Sequence, residues 1–360
     1  MRDQCAGSER PGRRRRPGGW ALPAKGVVDM PGGRPGMYGG RWRRELPARL
    51  PARLLVAVLA GLLVPVSGCA GAQGDAAPVT ESATRPVTVR PTPEPSAVPS
   101  LRPSAAGLPA PDAAIPKDPA RLADALRRTV ALLRDSVDDW VRTGGPAKGQ
   151  APESVVLPAL YEQRVYRRLA RDPKLASRTY DKLPKGLAGR ARDNVTAVRG
   201  LLSLAHPVSG TAKFRLKPPE PADVLLRHFR RAERRFGVEW EVLAAVMFVE
   251  TKFGRVRSPS HTGAEGPMQF MPGTWKAYGM GGDVHDTRDA LLAAANYLHA
   301  SGAPGDYRRA LYAYNHSNAY VEAVLLHARQ MKRDVRNYYA YYNWQVYVIT
   351  TRGERRLTGP

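Results

Sequence analysis

The sequence predicts a mainly α-helical protein that ends in a short C-terminal β-hairpin. Apolar residues recur at helical spacing through two stretches, residues 119–205 and 222–332. Gly and Pro breaks divide both stretches into segments of helix length. The chain then changes character, because residues 338–350 are aromatic and β-branched, a composition that favours strands. We therefore expect a helical body with a small β element at its end.

Composition and charge restrict the partners that this chain could have. The formal net charge is +24, which suits nucleic acid, anionic lipid or an anionic cell-wall polymer. The sequence shows no groove-reading motif, zinc module or stacking platform, so we expect no nucleic-acid partner. Cys5 and Cys69 are the only two cysteines, and we expect no structural disulfide.

The N-terminal region is organised like an export signal. Residues 41–53 are basic, and residues 54–66 (LLVAVLAGLLVPV) are almost wholly apolar. A basic flank, a short apolar run and small residues after it are the parts of a signal peptide, and the run is shorter than the ~20 residues of a membrane span. The segment 66–69 (VSGC) resembles a bacterial lipobox, which implies cleavage before Cys69 and lipid attachment to it. An ordinary signal peptide with a chance cysteine is the alternative.

Three N-terminal segments are predicted from these features. Residues 1–36 form a disordered leader rich in Arg, Gly and Pro. Met37 is a more normal start, and translation from Met37 would leave this leader out. Residues 37–68 form the lipoprotein-type signal peptide. Residues 69–117 contain the lipid anchor and a Pro/Ala-rich tether with too few large apolar residues to bury a core. We therefore expect an exported protein, lipid-anchored to the outer face of the cytoplasmic membrane and facing the cell wall.

Two groups of helices follow the tether. Residues 118–216 are predicted to be a helical accessory region without recognisable chemistry, with helices over 119–143, 153–171 and 187–205. A Pro-rich break at residues 217–221 separates this region from a denser pattern. The helices predicted after the break cover residues 222–236, 239–251, 287–301, 306–314 and 318–332.

Glu250 is unusual because it follows the apolar run VMFV near the end of the helix expected over residues 239–251. That helix is apolar almost all round, which indicates burial. An apolar setting disfavours the charged form of a carboxyl and raises its pKa, as a general acid at neutral pH requires. The alternative is a carboxylate at the exposed end of the helix, paired with Lys252 or Arg255.

Two polar motifs follow Glu250 along the chain. The first is the segment 266–272 (GPMQFMP), which places Gln269, a neutral donor and acceptor, at the entrance of a helix. The second is the segment 313–315 (AYN), which closes another helix with the Tyr314 hydroxyl and the Asn315 amide.

With these residues the sequence resembles the lytic transglycosylases. The first motif of that family is a catalytic Glu followed by a small hydroxyl residue, here Glu250 and Thr251. Its second motif is Gly-x-Met-Gln running into Met-Pro, and its third is Ala-Tyr-Asn, and both are present here in order. The resemblance covers about residues 222–332 and looks most like the membrane-bound type B branch. It implies a lysozyme-like, mainly helical catalytic domain around a long cleft, which we place at residues 217–335.

The resemblance also implies a function. It implies an enzyme that cleaves the β-1,4 bond between N-acetylmuramic acid and N-acetylglucosamine in peptidoglycan and leaves a 1,6-anhydromuramic end. Glu250 is the implied catalytic residue. The implied substrate-binding residues are Thr251, Met268, Gln269, Tyr314 and Asn315. We expect Tyr314 to orient the Glu250 carboxyl or to present its ring to a sugar, and we expect a monomer whose partners are glycan strands and the membrane.

No cofactor and no metal are expected. Some relatives carry an Asp-rich, calcium-loop-like segment where this chain has residues 281–286 (GGDVHD). A calcium ion takes about six to eight oxygen ligands, and this segment offers too few. The histidines lack the His-Glu-x-x-His spacing of a zinc hydrolase. His316 is the one histidine close to a motif, and a structural role is preferred for it.

Two other functions remain open at the sequence level. A hydrolytic muramidase on the same fold would need a second carboxylate, for which Glu265, Asp283 and Asp286 are the nearest candidates. A non-catalytic peptidoglycan-binding lipoprotein would keep the cleft without turnover. Retention of a costly buried acid at Glu250 argues against this second alternative.

Residues 336–360 are predicted to form a C-terminal aromatic strand or hairpin, with a turn near Arg352 and Gly353. Tyr338, Tyr341 and Trp344 are expected either to pack on the domain or to form a sugar-stacking platform, and packing is preferred.

Overall fold

The computed structural model describes residues 107–211 and 214–357. The predicted leader, signal peptide and Cys69, and the tether before residue 107, lie outside these residues. Within the described ranges the chain forms helices α1 (Pro119–Arg142), α2 (Glu153–Arg171), α3 (Pro173–Tyr180), α4 (Lys185–Ser203), α5 (Ala222–Phe236), α6 (Trp240–Thr251), α7 (Pro272–Tyr278), α8 (Thr287–Ala300), α9 (Tyr307–Tyr314), α10 (Asn318–Arg333) and α11 (Arg336–Tyr342). Strands β1 (Tyr347–Thr350) and β2 (Gly353–Arg356) form an antiparallel hairpin in which Tyr347 lies opposite Arg356.

The mainly helical fold with a C-terminal hairpin is thus confirmed. None of the described helices is both long and apolar enough to cross a membrane. The predicted helices of the first group correspond to α1, α2 and α4, each within two residues at either end. The short helix α3 is additional. It begins directly after Asp172, whose side chain accepts a hydrogen bond from the backbone N–H of Leu175 and so caps the helix.

Helix α1 shows how local signals and packing agree in the first group. Asp118 caps its N-terminus by accepting from the Arg121 N–H at 2.9 Å, and Pro119 occupies the first turn, where its missing N–H costs nothing. Its apolar stripe is buried along its whole length, from Leu122 to Trp140. The helix therefore has one face on the core and one in solvent.

Helix α6 is the buried centre of the second group. From Val242 to Phe248 every side chain is at most 2% exposed, as the all-round apolar sequence predicts. Helices α5, α8, α10 and α11 contact it. Because α6 ends with Glu250 and Thr251, the Glu250 carboxyl lies at the edge of the hydrophobic core.

One hydrophobic cluster joins the predicted accessory region, the predicted catalytic region and the C-terminal segment. Helix α4 lies against α10, where the backbones come close at Gly200: a Cβ there would stand 3.3 Å from the Ala319 carbonyl oxygen. Ala197 on α4 packs with Ala323 and Leu326 on α10. The boundary near residue 217 therefore separates two parts of the sequence that share a core.

The predicted strand over residues 338–350 is wrong in its first part, because residues 338–342 belong to helix α11. Tertiary contacts override the strand propensity of the tyrosines. The hydroxyls of Tyr338, Tyr341 and Tyr342 donate to Ala222 O, Asn194 Oδ1 and Glu220 O, at 2.7, 2.7 and 2.9 Å. Tyr338 and Tyr341 are fully buried and Trp344 is 2% exposed, so they pack in the domain as preferred and form no open platform.

Candidate active site

Glu250 lies at the end of α6 with 9% of its surface exposed. The hydroxyl of Tyr320, a buried residue in the first turn of α10, donates a hydrogen bond of 2.7 Å to Glu250 Oε1. Burial raises the pKa of the Glu250 carboxyl to about 7, while the Tyr320 hydrogen bond and the charge of Lys252 act in the opposite direction. The carboxyl is therefore held in one orientation and keeps its proton close to neutral pH.

Thr251 lies beneath the site rather than in it. Its side chain is fully buried, and its hydroxyl donates to the Pro267 carbonyl at 2.7 Å and accepts from the Gly254 N–H at 2.9 Å. The backbone reverses here through Lys252 and Phe253, which have the positive φ values of 53° and 59° that side-chain-bearing residues rarely adopt. The structure therefore corrects the expected substrate contact of Thr251: this residue ties the end of α6 to the second motif.

The second motif is a tight loop that presents Gln269. The Glu265 N–H donates to Phe270 O and the Phe270 N–H donates to Glu265 O, at 2.9 and 2.8 Å, which closes the loop. Gly266 is required at its start, because φ is +74° and a Cβ would stand 2.0 Å from the Val284 carbonyl oxygen. Gln269 has φ 51°, and its Nε2 donates to the Gly266 carbonyl at 3.0 Å. The loop leads into α7 three residues later, close to the helix entrance that was predicted.

Met268 is fully buried, so its expected role in substrate binding is corrected as well. Its backbone carbonyl accepts a hydrogen bond of 2.6 Å from the Tyr314 hydroxyl. Tyr314 ends α9 and in this way fixes the second motif against the third. It does not orient Glu250, since Tyr320 makes that contact, but its ring remains available to face a sugar.

Two pockets meet at Glu250. The first, of about 540 Å³, is lined by Glu250 together with Gln269, Phe270, Tyr314 and Asn315, and we call it the motif pocket. In this pocket Asn315 Oδ1 is buried and has no hydrogen-bond partner in the described structure. A buried amide oxygen without a partner is costly, so a donor on a ligand would stabilise it. The structure thus brings Gln269, Tyr314 and Asn315 together with Glu250 in one pocket, and their role in substrate binding stays a prediction.

The second pocket, of about 750 Å³, also includes Glu250, and we call it the accessory pocket. Its other lining residues include Arg167 on α2, Leu201 on α4, His327 on α10 and Trp344 before the hairpin. Its walls therefore come from the accessory region and the C-terminal segment as well as from α6.

The three candidates for a second carboxylate do not line either pocket. Glu265 is half exposed and pairs with His285 at 3.8 Å. Asp283 accepts from the His285 N–H, and Asp286 caps α8 by accepting from the Asp289 N–H. Among the residues that the structure describes, Glu250 is the only Asp or Glu that lines either pocket.

The described ranges contain no group of three or more His, Cys, Asp or Glu side chains placed to hold a metal ion. His316 is exposed, meets the ring of Tyr312 edge-on at 5.3 Å and lines neither pocket.

The family model of the transglycosylase SLT domain matches residues 227–336. The chain carries a lytic transglycosylase domain. The match runs from α5 to the start of α11 and contains all three motifs, and the enzymes of this family are peptidoglycan-cleaving lyases of the lysozyme-like superfamily. No curated protein and no solved structure was found to match the chain.

Sequence reasoning does not identify Tyr320 as the partner of Glu250, and it considers Lys252 only as an ion-pair partner of an exposed Glu250. Tyr320 is one of several apolar-face residues of α10, and its hydrogen bond spans 70 positions of sequence to Glu250. Lys252 follows the acid closely in sequence, but its position inside the accessory pocket depends on the left-handed backbone turn after α6. A tyrosine in an otherwise apolar helical stripe is the one available signal, because a buried hydroxyl needs a partner.

Proposed function

We propose that this transglycosylase cleaves the β-1,4 bond between N-acetylmuramic acid and N-acetylglucosamine, with Glu250 as its single catalytic acid and base. The observation that carries this proposal is the lone carboxyl shared by the two pockets, buried and protonated near neutral pH. Hydrolysis at a glycosidic carbon usually employs two carboxyl groups. With one carboxyl in place, the nucleophiles are best supplied by the substrate.

In the proposed reaction Glu250 first donates its proton to the glycosidic oxygen, and the bond from that oxygen to the anomeric carbon of the muramic acid breaks. The oxygen of the 2-acetamido group supports the positive anomeric carbon. The C6 hydroxyl of the same sugar then attacks this carbon, and the Glu250 carboxylate accepts the hydroxyl proton. The acid is thereby regenerated and the product carries a 1,6-anhydro ring. Well-oriented intramolecular groups reach effective molarities of ~10⁵–10⁸ M, far above that of water.

The other residues of the motif pocket suit this substrate. Asn315 Oδ1 has no partner within the described structure and can accept from the acetamido N–H of a sugar. Gln269 adds a second neutral amide, and the ring of Tyr314 offers an apolar face to a pyranose. Tyr320 holds the Glu250 carboxyl towards the bond that breaks. These are positioning roles, and none of them adds a charge that would compete with the acid.

The product decides between this proposal and its rivals. Purified peptidoglycan digested with the protein is expected to yield muropeptides with 1,6-anhydromuramic ends, one water lighter than hydrolysed muropeptides by mass spectrometry. Predominance of reducing ends would instead identify a muramidase and require a second carboxylate near Glu265 or Asp283. Absence of any product with an intact fold would favour the non-catalytic binding protein.

We also propose that the mature protein begins at Cys69 and is lipid-modified there, which would hold the enzyme at the membrane, facing the wall. The lipobox-like segment VSGC after a signal-length apolar run supports this. One acyl chain binds membranes only marginally, so more than one chain is expected. Cys69→Ala should release the protein from the membrane fraction or stall its processing, as followed by fractionation and intact mass. Unchanged mass and location in that variant would rule the anchor out.

A further inference from the structure

The accessory pocket contains features that cleavage of the glycan bond does not use. Much of its wall lies outside the family match at residues 227–336: Arg167 and Leu201 precede it, and Trp344 and the hairpin follow it. Because it shares Glu250 with the motif pocket, whatever occupies it lies beside the bond that breaks. The chemistry of its lining therefore bears on which glycan strands the enzyme accepts.

Hydrogen-bond donors and a cation dominate the polar part of this lining. Lys252 Nζ donates to the Phe248 carbonyl at 2.9 Å and lies 4.2 Å from the centre of the Phe248 ring, so its nearest partners are a carbonyl and a ring face. Trp344 Nε1, which can only donate, has no hydrogen-bond partner in the part of the chain that the structure describes, and Trp344 is 2% exposed. His327 Nδ1 is also without a partner there, and on a neutral imidazole this nitrogen donates or accepts according to the tautomer. A cation next to an unpaired donor favours an anionic ligand with acceptor oxygens.

Lys252 is the cation of this lining that forms no ion pair within the described residues. Arg167 also lines the pocket, but its guanidinium is paired with Glu354 on β2, a carboxylate that it shares with Arg171. Burial lowers the pKa of His327 to about 3, so this histidine is neutral at physiological pH. Most of the remaining lining is aliphatic, with Leu201 and Val348 among its residues. The pocket thus combines a lysine that has no ion-pair partner with a largely apolar surface.

We propose, on the basis of the proposed function, that the accessory pocket receives the carboxylate-bearing substituent at C3 of the muramic acid, with Lys252 as the cation that binds the carboxylate. Muramic acid carries a lactyl ether at that carbon. Its carboxyl is free on strands without peptides, whereas on other strands it is amide-linked to a peptide that bears carboxylates of its own. The methyl groups of the lactyl and alanyl units match the aliphatic wall, and the carboxylate matches the cation.

Binding of this substituent would also assist the acid. Burial lowers the pKa of Lys252 to about 7, and contact with a carboxylate favours the protonated form of the amine. The charge of Lys252 pulls the pKa of Glu250 down. A carboxylate bound to Lys252 offsets that effect, so the acid keeps its proton when the correct substrate is in place. A neutral sugar polymer without the substituent lacks this effect.

The test compares strands of different charge on variants of one residue. Binding is measured on the Glu250→Gln protein, in which turnover does not consume the ligand, with three preparations: intact strands, strands stripped of peptides by an amidase, and strands whose carboxylates are converted to amides by a carbodiimide. Lys252→Met in that background should weaken binding of at least one carboxylate-bearing preparation about tenfold, the order expected for loss of a charge-assisted hydrogen bond. It should leave the neutralised strands unchanged.

Three controls accompany this comparison. Lys252→Arg should restore the preference for charged strands. Lys332→Met removes an exposed cation that pairs with Glu239 outside the pocket and should have no effect. Leu201→Glu places a negative charge in the lining of the accessory pocket and should weaken binding of the charged strands alone. This variant keeps the proposal testable if Lys252→Met fails to fold.

The outcomes separate this proposal from the proposed function. If Lys252→Met weakens binding of amidase-stripped strands alone, the lactyl carboxylate is the group that Lys252 binds. If it weakens binding of intact strands alone, Lys252 binds a carboxylate of the peptide. The proposal is overturned if Lys252→Met weakens binding of charged and neutralised strands equally, or weakens binding of neither. The proposed function is tested independently by the anhydro product of the unmodified enzyme.

Discussion

Replacement of Glu250 by Gln should abolish turnover of peptidoglycan while the fold and strand binding remain. Gln keeps the shape of the side chain and can still accept the Tyr320 hydrogen bond of 2.7 Å, but it has no proton of suitable acidity to give. Positioned acid catalysis alone contributes ~10²–10⁴-fold, and in the proposed reaction the same carboxyl also serves as base, so the loss should be at the upper end of that range or beyond. Release of muropeptides from purified cell wall measures it.

Glu322→Gln is the matched control, because Glu322 is a partly exposed residue of α10 that pairs with Arg308 at 2.6 Å outside both pockets. It should retain full activity. Substantial turnover in Glu250→Gln would transfer the acid role to another residue, with Glu265 as the next to test.

A stability measurement shows whether the inactive variant is folded. The pKa of Glu250 in the folded protein is about 7, above its usual value of 4.5, so the folded state binds this proton more tightly than the unfolded chain does. That contribution to stability is fully present below pH 4.5 and is lost as pH rises through 7. Gln has no such dependence. The variant should therefore have the same melting temperature as the unmodified protein at low pH and be more stable above pH 7, by on the order of 3 kcal/mol.

The isolated segment 217–335, which includes all three motifs, should fail to fold without the helices before it and the residues after it. Removal of α4 exposes Ala323 and Leu326, and removal of the C-terminal segment exposes Phe248, whose ring stacks on Tyr341 at 5.2 Å. Each fully buried large apolar side chain contributes ~1.5–3 kcal/mol, and whole domains are stable by only ~5–15 kcal/mol. Loss of several such contacts therefore removes a large part of the stability available.

Near-ultraviolet circular dichroism and thermal melting test this expectation. The fragment should lack fixed aromatic signals and a cooperative transition, whereas a fragment spanning residues 107–357 should show both. A cooperative transition in the 217–335 fragment would mean that the shared core is dispensable for folding.

Much of the helical framework follows from the sequence, because its helices combine periodic apolar residues with clear breaks. Helix α6 is the best example, since an all-round apolar segment has one stable position, at the centre of the core. Helix α11 shows the limit. Its run of tyrosines has strand propensity, and the helical state is stabilised by hydrogen bonds from Tyr338 and Tyr341 to residues far away in sequence.

The candidate site could likewise be predicted only in part. Gln269, Tyr314 and Asn315 could be predicted because motif spacing identifies residues that a loop and a helix end present to one pocket. Thr251 and Met268 belong to the same motifs but face inward, and a motif does not record which of its members turn towards the ligand. The accessory pocket could not be predicted at all, since its walls come from three parts of the chain that meet only in the folded protein.

The hydroxyl of Thr251 has a consequence for the spacing of the candidate site. It is hydrogen-bonded both to Pro267 in the second motif and to the turn that follows Glu250. The end of α6 and the loop that carries Gln269 are therefore joined beneath the site by one buried side chain. A replacement of Thr251 would change the distance between the Glu250 carboxyl and the Gln269 amide without altering either side chain.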